Sequence, residues 1–459
     1  MTTIDLVSPI DGSIYLTREV AGRDAAIAAA GAAREAQRDW AERPLSERVA
    51  MVRRASEIVG RTTDRMAVEL AHQMGRPVRY GGEHGGFAER VAYMADVAEE
   101  GLAPLTVEDS GAFRRVLKRV PWGTVLVVAP WNYPYMTAIN TIAPALIAGN
   151  AVLLKHAAQT LLVGERLEET FREAGVPEGA MRNIVLDHDT TAALISERHV
   201  DFVNFTGSVG GGRAMERATA GTFIPVSTEL GGKDPGYVRA DADLGAAVDT
   251  LMDGAMFNSG QCCCGIERIY VDRSLYDAFV ERAVAWARAQ VLGNPLDEAT
   301  TMGPMANVRF AAEARAQVAE AIASGATAHV ERMAADDGEG PYLTPQVLTD
   351  VTHEMRVMRD ETFGPVVGIM PVDGDEEAVR RMNDSPFGLT ASIWTRDAAA
   401  AERIGDALET GTVFMNRCDY LDPALCWTGC KDTGRGAGLS VLAYHALTRP
   451  KSYHLKKTT

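Results

Sequence analysis

Apolar and polar positions follow two rhythms along this chain. From residue 24 to 100 the apolar positions recur at helical spacing, most clearly in Ala25–Arg38 and Leu45–Val59, with Gly60, Gly75 and Gly81-Gly82 as punctuation. Arg114–Val120 alternates like a strand, and Pro121 behind it points to a sheet edge. After residue 123 short apolar runs alternate with helical stretches. Thr124–Ala129, Ala151–Leu154, Asn183–Leu186 and Phe202–Phe205 read as strands. Met136–Ile147 (ended by Gly149), Leu161–Ala174 (ended by Gly175) and Thr190–Ser196 read as helices, and another opens near Ser208. Such alternation predicts βαβ units and a parallel sheet, which binds nucleotides at the carboxyl ends of its strands. A second α/β series follows Glu229. Ala278–Val291, Glu376–Met382 and Ala398–Leu408 are its helices, and Val366–Met370, Ala391–Trp394 and Thr412–Met415 its strands. The tail Leu447–Leu455 reads as extended, and no repeat, low-complexity segment or long linker interrupts the series.

Composition narrows the classes. The 459 residues suffice for two or three domains. With 46% hydrophobic and 24% charged residues, the chain has the make-up of an ordinary globular protein. Lys and Arg total 46 against 62 Asp and Glu, and the net charge of -16 argues against nucleic acid or an anionic membrane as partner. No apolar run reaches the roughly 20 residues of a membrane helix. Six cysteines are no disulfide framework, and Met1–Pro9 lacks a basic segment followed by an apolar one. The setting expected is therefore a reducing one, the cytoplasm. The nine histidines are scattered without zinc-type spacing, so no metal is expected.

The candidate chemistry centres on Asn258-Ser259-Gly260-Gln261-Cys262-Cys263-Cys264-Gly265, just before the apolar β-branched run Ile269–Val271. A thiolate attacks carbonyl carbon. Free cysteines are also common as buried small hydrophobes, but three in succession cannot all face a core. Three other motifs lie at predicted strand ends. In Phe205-Thr206-Gly207-Ser208, the glycine admits a ligand and the serine can cap a helix near a phosphate; read alone, the segment is as well a tight turn. In Ser227–Lys233, Glu229 precedes Gly231-Gly232 and can serve as general base for water, or be a solvated loop carboxylate. In Pro130–Pro134, Asn132 offers an NH2 donor suited to an oxyanion, or caps the helix that follows.

Taken together, Pro130-Trp131-Asn132, Lys155, Phe205–Ser208, Glu229–Lys233, Gly260–Cys263 and Glu361-Thr362-Phe363-Gly364-Pro365 resemble the aldehyde dehydrogenase superfamily in order and spacing, from about residue 20 to the C-terminus. The resemblance implies an α/β fold. A Rossmann-type cofactor domain (1–102 and 122–230) joins an α/β catalytic domain (231–438) and a small oligomerisation strand region (103–121 and 439–459). It also implies a homodimer or homotetramer, and a small-molecule aldehyde oxidised to its acid with NAD or NADP. By the same resemblance Cys263 is the nucleophile. Asn132 and the Cys263 backbone N–H form the oxyanion hole, and Glu229 activates water. Lys155 and Glu361 hold ribose hydroxyls, Gly207 and Ser208 lie near the pyrophosphate, and Phe363 lies beside the nicotinamide ribose. Trp131, Leu230, Gly212 and Ala158 complete the cofactor set. Cys262 and Cys264 are then structural and Cys430 incidental, while Cys418, Tyr420 and Cys426 fall near the substrate mouth.

Departures from the family pattern set two expectations. The family's proline after the lysine and glutamate three residues after it are His156 and Ala158 here, so NADP should be accepted at least comparably with NAD. His156 either adds a donor or merely replaces the proline and faces solvent. Tyr133–Ala148 holds no Arg or Lys, which favours uncharged aldehydes unless an arginine such as Arg417 arrives from elsewhere. A CoA-acylating semialdehyde dehydrogenase and a non-catalytic relative are the competing readings. Glu229 opposes the first, and Cys263, Glu229 and Asn132 together oppose the second.

Overall fold

The computed structural model describes residues 2–457. Five parallel strands form one sheet in the order Met181–Asn183, Ala151–Lys155, Thr124–Val128, Phe202–Thr206 and Val226–Glu229. The strands at its centre are apolar at nearly every position and buried on both faces, as parallel strands between helices must be. The chain leaves Thr124–Val128 towards one side of the sheet and returns to pair Phe202–Thr206 on the other. The connections above their carboxyl ends therefore diverge and leave a crevice.

A seven-stranded sheet follows, in the order Thr327–Ala328, Gln346–Thr349, Val366–Val372, Ile266–Asp272, Asp234–Val238, Thr390–Trp394 and Thr412–Met415. It is parallel apart from its first strand. The four residues from Leu230 to Lys233 connect Val226–Glu229 to Asp234–Val238, so the two sheets share a short junction. A third sheet is antiparallel, with Thr448–Lys456 and Leu105–Asp109 on either side of Phe113–Pro121.

Three sequence expectations need correction, and one element went unread. Gly60 does not end a helix. Leu45–Met74 runs unbroken through it, and the missing side chain makes room for the His84 ring, whose Nε2 lies 2.8 Å from where a Cβ would stand. Phe113–Pro121 is the central strand of its sheet, not an edge, because Pro121 sits at its last position, where the missing N–H interrupts nothing. The strand read over Asn183–Leu186 is Met181–Asn183. Ile184 and Leu186 are buried in the connection that follows, where Asp187 caps the next helix, His188–Ser196. A hairpin, Thr3–Val7 with Ile14–Glu19, precedes the helices and had no sequence reading.

Candidate active site

The site is built where the first sheet's carboxyl ends face the turn before Ile266–Asp272. In that turn Asn258 and Ser259 adopt left-handed backbone (φ 54° and 56°) and Gly260 continues it at φ 69°. Gly260 also has the Gly364 carbonyl 2.2 Å from where a Cβ would be, so no other residue fits there. The result is a tight coil that buries Cys262 and Cys264 and leaves Cys263 partly exposed.

Two cavities meet at this coil. The larger, about 680 Å³, lies over the divergence in the five-stranded sheet. The smaller, about 400 Å³, runs between the helices His84–Asp96, Pro134–Ile147 and Leu244–Met256 and the segment Cys418–Leu421. Cys263 is the one residue that lines both.

The larger cavity gathers Trp131, Asn132, Lys155, Ala158, Gly207, Ser208, Glu229, Leu230, Cys263, Glu361 and Phe363, which the sequence spreads over more than half its length. Gly212 is absent from the lining. A Cβ there would lie 2.7 Å from the Leu230 side chain, so this glycine lets its helix close onto the strand end. Ser208 caps that helix, its hydroxyl accepting the Gly211 N–H (3.2 Å). Asn132 is not a cap. The helix Pro134–Ile147 begins after Tyr133, and its first free N–H groups, on Tyr135 and Met136, donate to the distant Glu83 carboxylate (3.0 and 2.9 Å). The Asn132 carbonyl accepts from Arg76 Nη2 (2.6 Å) and Asn258 Nδ2 (3.1 Å), while its side-chain amide makes no hydrogen bond among the described residues.

Three charges in the larger cavity are tuned by burial. Burial pushes the Glu229 carboxyl up to about 7, opposed in part by a hydrogen bond from Thr206. Burial, then the nearby Glu267 charge, pushes Glu361 up to about 8, and its Oε1 accepts the Gly232 N–H at 3.1 Å. Lys155 is pulled below the usual lysine range by burial. The Glu361–Phe363 segment is fixed from beneath. Glu267 pairs with Lys233 and accepts the N–H groups of Thr362 and Phe363 (both 2.8 Å), which holds Phe363 at φ 50° with its ring edge against Trp131.

The three vicinal sulfurs lie within 4.8 Å of one another. Thiol hydrogen bonds, from Cys262 and then Cys264, draw the Cys263 pKa below that of a free thiol and raise their own. Cys262 and Cys264 both also lie 3.0 Å from Asp419 Oδ1.

Other expectations fall differently. His156 neither faces solvent nor lines a cavity. It is buried against the Pro134 carbonyl (3.3 Å) and Thr160 Oγ1 (3.1 Å), and burial pulls it down to about 4, so it is neutral at pH 7. Cys418 and Tyr420 line the smaller cavity, whereas Cys426 lines neither. Sequence reading missed Asp5, Leu6, His188, Asn307, Arg309 and Phe310 in the larger cavity. Of these only the ring of Phe310, stacked on Trp131 at 5.1 Å, belongs to a feature the aromatic content could have flagged.

The family described as "Aldehyde dehydrogenase family" matches residues 1–453. A betaine aldehyde dehydrogenase of Rhizobium leguminosarum bv. trifolii is 33% identical over 99% of this chain and 94% of its own length. A succinate-semialdehyde dehydrogenase [NADP(+)] of Deinococcus radiodurans is 34% identical over 91% of this chain and 87% of its own. The crystal structure of an NAD-dependent aldehyde dehydrogenase from Sinorhizobium meliloti superposes with a TM-score of 0.95 at 31% identity, covering 100% of this chain and 92% of that one.

The geometry predicts the cost of loosening the site. Arg76 and Glu83 form a buried pair that also holds the Asn132 turn and the Asn258 coil. Glu83→Gln leaves the guanidinium without its counter-charge and is expected to destabilise the fold by about 3–5 kcal/mol in urea unfolding. A change below about 1 kcal/mol would show that the pair is not structural.

Proposed function

The chain belongs to the aldehyde dehydrogenase family, oxidoreductases that act on aldehydes with NAD(P) as acceptor, and we propose that Cys263 is its nucleophile, Asn132 its oxyanion donor and Glu229 its hydrolytic base. The observation that carries this reading is the position of Cys263, the one residue common to both cavities. An aldehyde in the smaller cavity and a cofactor in the larger can meet at that sulfur.

In this reading the Cys263 thiolate adds to the aldehyde carbon, and the new oxyanion is held by the Asn132 amide and the Cys263 N–H. The uncommitted Asn132 amide on a tethered backbone suits that task, because no bond must be broken before it serves. A nicotinamide bound in the larger cavity would supply the hydride acceptor that the thiohemiacetal on Cys263 needs to become a thioester. Glu229 takes a proton from water as that water attacks the thioester and releases the acid and the thiolate. Its pKa of about 7 keeps it basic near neutrality while leaving it able to pass the proton on. A buried carboxylate in the cavity that Cys263 also lines suits water as the acyl acceptor and speaks against thiolysis by CoA.

The lining of the larger cavity fits a dinucleotide. Lys155 and Glu361 would take ribose hydroxyls and Phe363 would flank the nicotinamide ribose. The capped helix at Gly207-Ser208 presents N–H groups to pyrophosphate. Trp131 and Leu230 would supply apolar contact. Ala158 is exposed in the cleft and carries no carboxylate to repel a 2′-phosphate, so NADP is accepted alongside NAD. Six free thiols suit a reducing compartment such as the cytoplasm. The small antiparallel sheet exposes Leu105, Val107, Leu117 and Leu455, as an assembly interface would, and supports a homodimer or homotetramer.

Three measurements test the reading. Cys263→Ala abolishes NAD(P)H formation from hexanal, whereas Cys262→Ala retains much of it; turnover by Cys263→Ala would refute the nucleophile. Glu229→Gln gives a burst of about one reduced cofactor per site and then stalls. Because the base works only when ionised, wild-type kcat for a hydrolysis-limited substrate rises as pH climbs through about 7, and this limb is missing from the variant. Finally, Ala158→Glu shifts the NAD-to-NADP ratio of kcat/KM toward NAD by about tenfold, the equivalent of ~1.4 kcal/mol. An unchanged ratio would place cofactor choice elsewhere.

A further inference from the structure

The expectation of an uncharged substrate rested on the absence of Arg and Lys from Tyr133–Ala148. It left room for an arginine from elsewhere, and Arg90, on the neighbouring helix His84–Asp96, lines the smaller cavity. We propose that Arg90, with Asn140 beside it in the cavity wall, receives a distal carboxylate, and that the preferred substrate is a short aldehyde carrying one. This rests on the aldehyde-oxidising reading above and names the substrate class of that site.

Arg90 is 5% exposed, yet it has no ion-pair partner among the described residues. Its Nη1 donates to the Gly86 carbonyl (2.8 Å), and its Nε is buried without a partner. A buried guanidinium left this way is costly, and a planar carboxylate is the group whose two oxygens match its fork. Asn140, 3% exposed, lines the same cavity, and its side-chain amide makes no hydrogen bond among the described residues, so its NH2 can donate to a carboxylate. Arg90 is the one Lys or Arg in the cavity lining.

The acidic groups nearby do not serve as its counter-charge. Glu89 accepts the Tyr420 hydroxyl. Asp419 lies against two thiols, and burial drives it well above the usual carboxylate range, toward its neutral form. Burial also raises Asp253 across the cavity. The remaining lining, with Met136, Phe257 and Leu421, accommodates a short carbon chain between Cys263 and the guanidinium. A quaternary ammonium substrate would instead meet an uncompensated like charge.

The test compares kcat/KM of the wild-type enzyme for succinic semialdehyde, its neutral methyl ester, hexanal and betaine aldehyde. The acid is expected to exceed the ester by at least about tenfold. Arg90→Gln should reduce that ratio at least about tenfold, mainly through KM, and Arg90→Lys should recover part of it. The wild-type comparison stands even where a variant folds poorly. Equal use of acid and ester, a preference for betaine aldehyde, or equal losses for acid and ester in Arg90→Gln would each overturn the inference. Hexanal oxidation abolished by alkylating Cys263 would leave the aldehyde-oxidising reading standing in those cases. No turnover with any of the four would overturn both.

Discussion

The site depends on one buried ion pair. Arg76 follows the long helix Leu45–Met74, and Glu83 precedes the helix His84–Asp96; their side chains are 3% and 2% exposed. The pair offsets its own desolvation through further hydrogen bonds to backbone and amide groups that need fixing. Arg76 holds the Asn132 carbonyl and Asn258 Oδ1, and Glu83 caps the helix that starts at Pro134. Asn258 in turn holds the Gln261 carbonyl, two residues before Cys263. Asn132 and Cys263, the proposed oxyanion donor and nucleophile, are thus fastened to one another through a charge pair that lines neither cavity. Pre-organised dipoles in a dry site are effective because they need not reorient as charge develops.

A second buried pair does the same for the cofactor side. Lys233 and Glu267 stand at the beginnings of two neighbouring strands of the seven-stranded sheet, and Glu267 carries the Thr362 and Phe363 N–H groups. The loop bearing Glu361 is then free to press its carboxylate against Gly231, where a Cβ would lie 2.1 Å from Oε1. That glycine is required by space, not by backbone conformation. The carboxyls of Glu229 and Glu361 lie buried within this scaffold and are raised toward neutral pH. The same burial that secures the scaffold tunes the chemistry.

The sequence determined a good deal unaided. Short apolar runs and period-3.6 patterning located the elements from Thr124 to Thr219 within a few residues, because buried parallel strands are continuously apolar and their helices are not, whereas Asp234–Val238, Leu244–Met256, Val308–Ala323 and Gln346–Thr349 had no sequence reading. Residues at strand ends, among them Asn132, Lys155, Gly207 and Glu229, were legible as a set, since strand order puts carboxyl ends on one side of a sheet. What the sequence left open was decided by contacts between distant segments. His156 was a donor or a solvent-facing turn residue until packing buried it against Pro134. Phe113–Pro121 gained its second neighbour only from the chain terminus. Cys262 and Cys264 meet Asp419, and the one Lys or Arg lining the smaller cavity, Arg90, comes from an element that carries no motif. Local patterning records which face of an element is buried, because that depends on near neighbours in the chain. It does not record which charge that face will meet, because the partner arrives through the fold, and in a low-dielectric interior that partner sets protonation, orientation and affinity.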